Sequence, residues 1–180
     1  MDYRALMDSV SPGFFEREYI RRLPPEDVSS EMILDLKTFD GGVKINCPEG
    51  IRFGFFRGDP GALHAAVAEV DDGWVQYFNP GSRCFCAFDS ETVVSFCLLD
   101  DMCRFDGLRV SGPGCVGTVP KYRGHGIGLE MVRRATLLLK EEGYDLSYIH
   151  YTHIDHWYAK LGYRTILRWN RGGVVWCADE

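Results

Sequence analysis

The fold of this chain is decided by the stretch Val116-Gly117-Thr118-Val119-Pro120-Lys121-Tyr122-Arg123-Gly124-His125-Gly126-Ile127-Gly128-Leu129. Its beginning belongs to an apolar run, Gly114–Val119, that reads as a β-strand. Its end opens Gly124–Glu142, where Ile127, Met131, Ala135 and Leu138 recur on one helical face, Arg133, Arg134 and Lys140 lie elsewhere, and Gly143 is a natural stop. A glycine-rich turn therefore joins a strand to the N-terminus of a long helix. The first turn of a helix carries backbone N–H groups without intrahelical partners, and the helix dipole adds partial positive charge there. Glycines at 124, 126 and 128 remove side chains that would hold an anion away from those groups, so the turn reads as a phosphate cradle. No Gly-Lys-Ser/Thr follows, which excludes a P-loop, and the third glycine falls at 128 rather than 129, which breaks the dinucleotide fingerprint.

Outward from this turn, strands and helices alternate. Upstream, Ile51–Phe56 reads as a strand, and Asp59-Pro60 opens a helix carrying Leu63, Ala66, Val67 and Val70 toward a core. Arg83–Phe88 and Thr92–Leu99 flank Asp89-Ser90-Glu91 as a β-hairpin, and residues 100–113 read as a loop. Downstream, Leu146–Tyr151 is a strand, Ile154–Leu161 a short helix, and Tyr163–Trp169 with Val174–Cys177 a closing strand pair. At the N-terminal end, Ser11-Pro12 reads as the start of a short helix bearing Phe15, Tyr19, Ile20 and Leu23, and residues 32–47 as two short strands around Asp40-Gly41-Gly42. The class is α/β, with a central mixed, largely antiparallel sheet.

Composition narrows the function classes. The 180 residues are 46% hydrophobic, with 11 Phe, 9 Tyr and 4 Trp, enough for one substantial core and too few residues for two ordinary domains. A net charge of −6 disfavours a phosphate-backbone partner, so no nucleic acid is expected, and a cationic acceptor is favoured. No apolar run approaches the ~20 residues that cross a bilayer, and Met1-Asp2-Tyr3-Arg4 lacks a signal-peptide core, so a cytoplasmic protein without a membrane partner is expected. The seven cysteines are odd in number and sit mostly in apolar runs, as small buried hydrophobes in a reducing compartment.

Arg123-x-x-Gly126-x-Gly128, preceded by Val119-Pro120-x-Tyr122, resembles the signature of the GNAT superfamily of N-acetyltransferases. His156-Trp157-Tyr158-Ala159-Lys160-Leu161-Gly162-Tyr163-Arg164 is similar to the family's C-terminal motif, and both motifs occur in the family's order. The resemblance covers residues 83–170, more loosely 51–82, and leaves out 1–50. It implies an N-terminal extension over 1–50 and an acetyltransferase domain over 51–180, with a GNAT-like splayed sheet flanked by helices. It also implies acetyl-CoA as co-substrate, an amine acceptor, and an acetyl transfer by direct attack on the thioester. Coenzyme A would meet Val116, Gly117 and Thr118 along the strand. Its pyrophosphate would meet Arg123, Gly124, His125, Gly126, Ile127, Gly128 and Leu129.

Tyr158 matches the tyrosine that serves many members as general acid. A phenol, with an unperturbed pKa near ~10, holds its proton at neutral pH for a departing thiolate. For the general base Glu91, Asp100, Asp101, His125 and His150 are all candidates. Where the family often carries an asparagine after the fifth strand, this chain has Tyr151-Thr152-His153. His150, His153 and His156 lack a further Cys or carboxylate at ligand spacing, so no metal is expected. Cys84 and Cys86 share one side of a strand, as core residues do. Trp74, Tyr77 and Phe78 fall where the family's acceptor loops occur. The rival from another class is a noncatalytic acyl-CoA-binding regulatory module, which could dispense with Tyr158. Residues 1–50 could build an interaction arm or a homodimer contact in either case, and all recognised motifs lie downstream of them.

Overall fold

The computed structural model describes residues 1–178. Its helices are α1 (Tyr3–Val10), α2 (Glu18–Arg21), α3 (Pro60–Ala68), α4 (Ile127–Glu141) and α5 (Asp155–Tyr158). Its strands are β1 (Ser29–Asp35), β2 (Ile51–Phe55), β3 (Cys84–Asp89), β4 (Thr92–Leu98), β5 (Asp101–Phe105), β6 (Leu108–Ser111), β7 (Gly114–Thr118), β8 (Leu146–Thr152), β9 (Arg164–Asn170) and β10 (Gly173–Cys177). Short 3-10 turns cover Phe14–Glu16, Asp72–Tyr77, Pro120–Tyr122 and Ala159–Leu161.

The strands form two sheets, ordered β2-β3-β4-β7 and β10-β9-β1-β8-β6-β5. Every pairing is antiparallel except that of β6 with β8, where Val110 faces Leu146 and Ser111 faces Ser147. The two sheets meet at one bent run of chain. Its first half, β6, pairs with β8; its second half, β7, pairs with β4; Gly112-Pro113 make the bend. Gly112 is obligatory there, because a Cβ would lie 1.8 Å from the carbonyl oxygen of Tyr148 on β8. Past that point β7 and β8 part. The expected splayed, mixed and largely antiparallel sheet is the observed one.

Apolar side chains cover both faces of this surface. On one face α4 buries Met131, Val132, Ala135 and Leu139 against Met32, Leu34, Cys97 and Ile149, with Tyr158 and Tyr163 in the same cluster. On the other, Leu6, Met7, Phe14 and Ile20 pack on Ile33, Tyr148, Ile166 and Trp169, while α3 packs Leu63 and Val67 on Cys84, Cys86 and Phe96. All seven cysteines are free thiols.

Several elements differ from expectation. Ser11 caps the end of α1 rather than starting a helix, because Pro12 offers no N–H to continue the ladder and Gly13 turns left-handed at φ 65°. Residues 32–47 are not a hairpin: β1 is one strand, and residues 40–48 have no regular structure. The expected loop at 100–113 contains the β5–β6 hairpin, turned by Asp106-Gly107 with both residues at positive φ (48° and 78°). Most consequentially, β1 lies inside a sheet, between β8 and β9.

Candidate active site

The site is built around the opening between β7 and β8. The backbone of β7 pairs with β4 on one side only, and β8 pairs with β1 on one side and with β6 over just two residues on the other. Among the described residues, facing edges of both strands are thus left without strand partners, ready to hydrogen-bond an inserted chain. Each strand is distorted at the opening by a non-glycine residue in left-handed backbone, Cys115 (φ 46°) on β7 and Tyr151 (φ 55°) on β8. Such strain persists only where the surroundings enforce it, and it concentrates at functional positions. At Tyr151 the register between β8 and β1 slips, which re-aims the end of β8.

Of the strand residues expected to line the arm of coenzyme A, Gly117 is buried while Val116 and Thr118 are half-buried. Gly117 has no room for a side chain, since the Phe96 ring would lie 2.3 Å from its Cβ. Ser95, fully buried on β4, donates to the Gly117 carbonyl (2.7 Å) and lies 3.0 Å from the Thr118 hydroxyl. Ser95 is a supporting residue that motif reading overlooks, because serine in an apolar strand gives no periodic signal.

The strand then leads to the turn before α4. Gly124 and Gly126 hold left-handed backbone (φ 81° and 75°), and Gly126 caps α4 with no side chain bonding to the helix end. Among the described residues, the first of α4's N-terminal N–H groups to find a partner is that of Glu130, which donates to the Gly126 carbonyl. Gly124 and His125 are exposed and a Cβ on Gly124 would meet open space, so an anion fits here. Arg123, also exposed, donates from Nε to the Thr118 carbonyl (3.0 Å), tying the turn to β7. Ile127 is core and Leu129 half-buried. The glycines divide the labour differently from the expectation. A Cβ on Gly126 would lie 2.3 Å from the Asn46 carbonyl oxygen, and one on Gly128 2.6 Å from Thr118 Oγ1. These two serve close packing, and Gly124 alone opens onto free space.

Tyr158, at the end of α5, is 5% exposed and packs at right angles to Trp157 (4.9 Å between ring centroids). Burial, with the nearby Tyr163, Cys97 and Cys115, pushes its phenol well above the ordinary value, so it stays protonated at neutral pH. Burial likewise pushes the Cys115 thiol at the opening up to about 11, with Asp71 adding to the effect. A thiol held protonated is a poor nucleophile, which disfavours an acyl-cysteine intermediate. Tyr163, the other motif tyrosine, is locked in the core by Ser147 (2.7 Å) and Thr136 (2.8 Å).

The five candidate bases scatter. Glu91 sits at an exposed hairpin tip beside Arg52, Asp100 accepts the Arg83 N–H, and Asp101 accepts the Tyr144 hydroxyl on β5. His125 lies in the phosphate turn. His150 alone stands on a strand that borders the opening. His153 lies by Ser29 and Val28 instead, away from any ligand cluster, and no group of three or more His, Cys, Asp or Glu among the described residues is arranged to hold a metal. Near the expected acceptor loops, Phe78 is core against Phe96, while Trp74 is half-buried and Tyr77 is 51% exposed. No helix among the described residues is long and apolar enough to cross a membrane.

No curated protein matches the chain in sequence. Solved structures do match in fold. The glucosamine N-acetyltransferase region of a fungal multi-domain β-N-acetylglucosaminidase superposes with a TM-score of 0.68 at 22% identity, over 80% of this chain and 20% of that one. GCN5-related N-acetyltransferases from Sphaerobacter thermophilus and Kribbella flavida give TM-scores of 0.59 and 0.58 at 19% and 17% identity, over 81% and 78% of this chain. The chain spans only 50% and 55% of those two structures. In sequence, residues 80–165 match the acetyltransferase (GNAT) domain, a span running from β3 through the opening and cradle to the start of β9. The splayed sheet and glycine turn give the chain the fold of these acetyltransferases, and its residues 80–165 are similar to the GNAT acetyltransferase domain.

Proposed function

We propose that the chain transfers the acetyl group of acetyl-CoA to the amine of a small molecule or an exposed amino group, by direct attack on the thioester. The observation that carries this reading is the continuity of the opening. Two unpaired strand edges run from the uncapped, glycine-lined N-terminus of α4 to a protonated, buried Tyr158. A pyrophosphate fits the cradle, an extended amide-bearing arm fits the strand edges, and a thioester at its end lies within the sheet near Tyr158. The chain's residues then supply a proton to sulfur as the carbon–sulfur bond breaks, and exclude water with Trp157 and the surrounding core.

The test combines calorimetry with acetyl-CoA and thiol release on a panel of alkylamines, amino sugars, polyamines and peptides. Binding at the cradle is challenged by His125→Glu, which places a negative charge on an exposed residue of the turn. Acid near a helix N-terminus does not harm folding, so acetyl-CoA affinity is expected to fall about tenfold, worth ~1.4 kcal/mol, with unchanged thermal stability. Unchanged affinity refutes the cradle. Binding without thiol release to any amine of the panel identifies the noncatalytic module instead.

A further inference from the structure

Directly beneath the opening, on the face opposite Tyr158, lies a carboxylate with no solvent exposure. Glu31 on β1 is 0% exposed. An isolated buried carboxylate is strongly unfavourable unless hydrogen bonds compensate for lost water. Here the Tyr151 backbone N–H (3.1 Å) and the Trp169 indole N–H (2.7 Å) donate to one oxygen, and Nδ1 of His150 lies 2.8 Å from the other. The remaining edge of His150 is open, with the side chain 24% exposed between Phe14 and Tyr148.

We propose that His150 is the general base of the acetyl transfer, and that Glu31 is the residue that positions it. This rests on the acetyl-transfer reading above. A neutral imidazole that donates Nδ1–H to a carboxylate keeps its free lone pair on Nε2, across the ring and away from the buried partner. A base oriented by a third group is the arrangement that activates nucleophiles in unrelated folds. Placement agrees. His150 follows Tyr148, where Gly112 makes the last close backbone approach to β8, by two residues. Tyr148 belongs to the core beneath α1, whereas Ile149 and Tyr158 belong to the core beneath α4. Acid and base therefore flank the opening from opposite faces of the sheet.

The step balances. The amine nitrogen forms a bond to the acetyl carbon while Nε2 takes one of its protons. The carbon–sulfur bond breaks with its electron pair going to sulfur, and Tyr158 gives sulfur its proton. Tyr158 is then reprotonated, and His150 deprotonated, by solvent.

Three full-length proteins test this: wild type, His150→Gln and Glu31→Gln. Long-range proton–nitrogen NMR on histidine-labelled wild type should find the Nδ1–H tautomer, and Glu31→Gln, which turns an amide N–H toward Nδ1, should convert it to Nε2–H. With acetyl-CoA and the best amine of the panel, His150→Gln should lower kcat by ~10²–10⁴-fold. Acetyl-CoA affinity and amine KM should stay within about threefold. Glu31→Gln should lower kcat in parallel with the tautomer change, which a purely structural carboxylate would not do. An Nε2–H tautomer in wild type, or kcat in His150→Gln within about threefold of wild type, overturns the assignment. A wild-type chain that does not bind acetyl-CoA overturns the acetyl-transfer reading itself, a failure visible in calorimetry before any variant is compared.

Discussion

Tyr158 carries the most chemistry that a single side chain was expected to carry, and its surroundings sharpen what its removal should do. Burial and neighbouring acidic groups raise its phenol. A weaker acid gives up its proton only as negative charge develops on sulfur, which keeps its advantage modest. Tyr158→Phe keeps the ring against Trp157 and Tyr163 and deletes only the donor. We expect kcat to fall toward the low end of the ~10²–10⁴-fold range of a positioned acid, with acetyl-CoA affinity nearly unchanged, measured by steady-state kinetics beside calorimetry. Loss of affinity with intact kcat would make it a packing residue. Motif spacing singles out Tyr158 and the glycines of the turn, but does not show that Gly126 and Gly128 are needed for close packing. Glu31 was not legible: it precedes the apolar run Met32-Ile33-Leu34 with no periodic signal, and its partner is 119 positions away. Gly112 was equally silent, since the approach of Tyr148 that requires it is a tertiary fact.

Among elements, α4 joins the cradle to the core, and its first turn is tied by charge to its second. Glu130, buried on the helix, accepts from Arg133 (2.8 Å at each of two oxygens) and Arg134 (2.6 Å), and Arg133 also donates to the Gly41 carbonyl. Burial alone would raise the Glu130 carboxyl, but the arginine hydrogen bonds outweigh it and hold the group below its ordinary value. A depressed carboxyl stabilises the fold above its unfolded pKa, and the contribution disappears as pH falls through the folded value. Glu130→Gln should therefore cost about 1–3 kcal/mol at neutral pH. The difference from wild type should close only at a pH below the depressed folded value, where the carboxyl is protonated in both states. Urea denaturation at both values checks this; a gap independent of pH would assign the loss to packing.

Gly126→Val would not isolate phosphate binding, because the new Cβ drives into the Asn46 backbone and the residue sits at φ 75°. It should destabilise the fold with or without acetyl-CoA, which thermal unfolding of the unliganded protein reads directly. Strand and helix identity were largely legible here from periodicity and capping residues. The β5–β6 hairpin reads as a loop, although Asp106-Gly107 carries a hairpin-turn signal. Strand partners were not legible, because a buried strand's pattern says which faces are covered and not which neighbour covers its edges.

For the whole molecule the decisive fact is the position of β1. It pairs with β8 through Met32–Ile149, Ile33–Tyr148 and Leu34–Ser147, and with β9 through Ser29–Trp169, Ser30–Arg168 and Glu31–Leu167. β8 and β9 are each antiparallel to it, hence parallel to one another, and joined by the crossover through α5. They stand two strand spacings apart, roughly 9.6 Å, and cannot pair in their present places. Motif reasoning made residues 1–50 dispensable for the chemistry, since no recognised motif falls within them, while expecting Phe14, Phe15, Ile33, Leu34 and Leu36 to cover core surface. The sheet argues otherwise. A chain beginning at Gly50 loses the strand that fills the gap, the Met32 and Leu34 contribution to the core beneath α4, and the Asn46 contact at Gly126. It also loses Leu6, Phe14 and Ile20, which cover Trp169 and Tyr148. Each buried Leu, Ile, Met or Phe side chain contributes about 1.5–3 kcal/mol, so these five together are comparable to the whole ~5–15 kcal/mol by which a domain is stable. We expect the truncated chain to show no cooperative thermal transition and no acetyl-CoA binding. A folded truncation that binds acetyl-CoA would mean that β8 and β9 re-pair without β1. A folded truncation that binds but does not turn over would confine the N-terminal region to the acceptor side, where Glu31 and His150 lie.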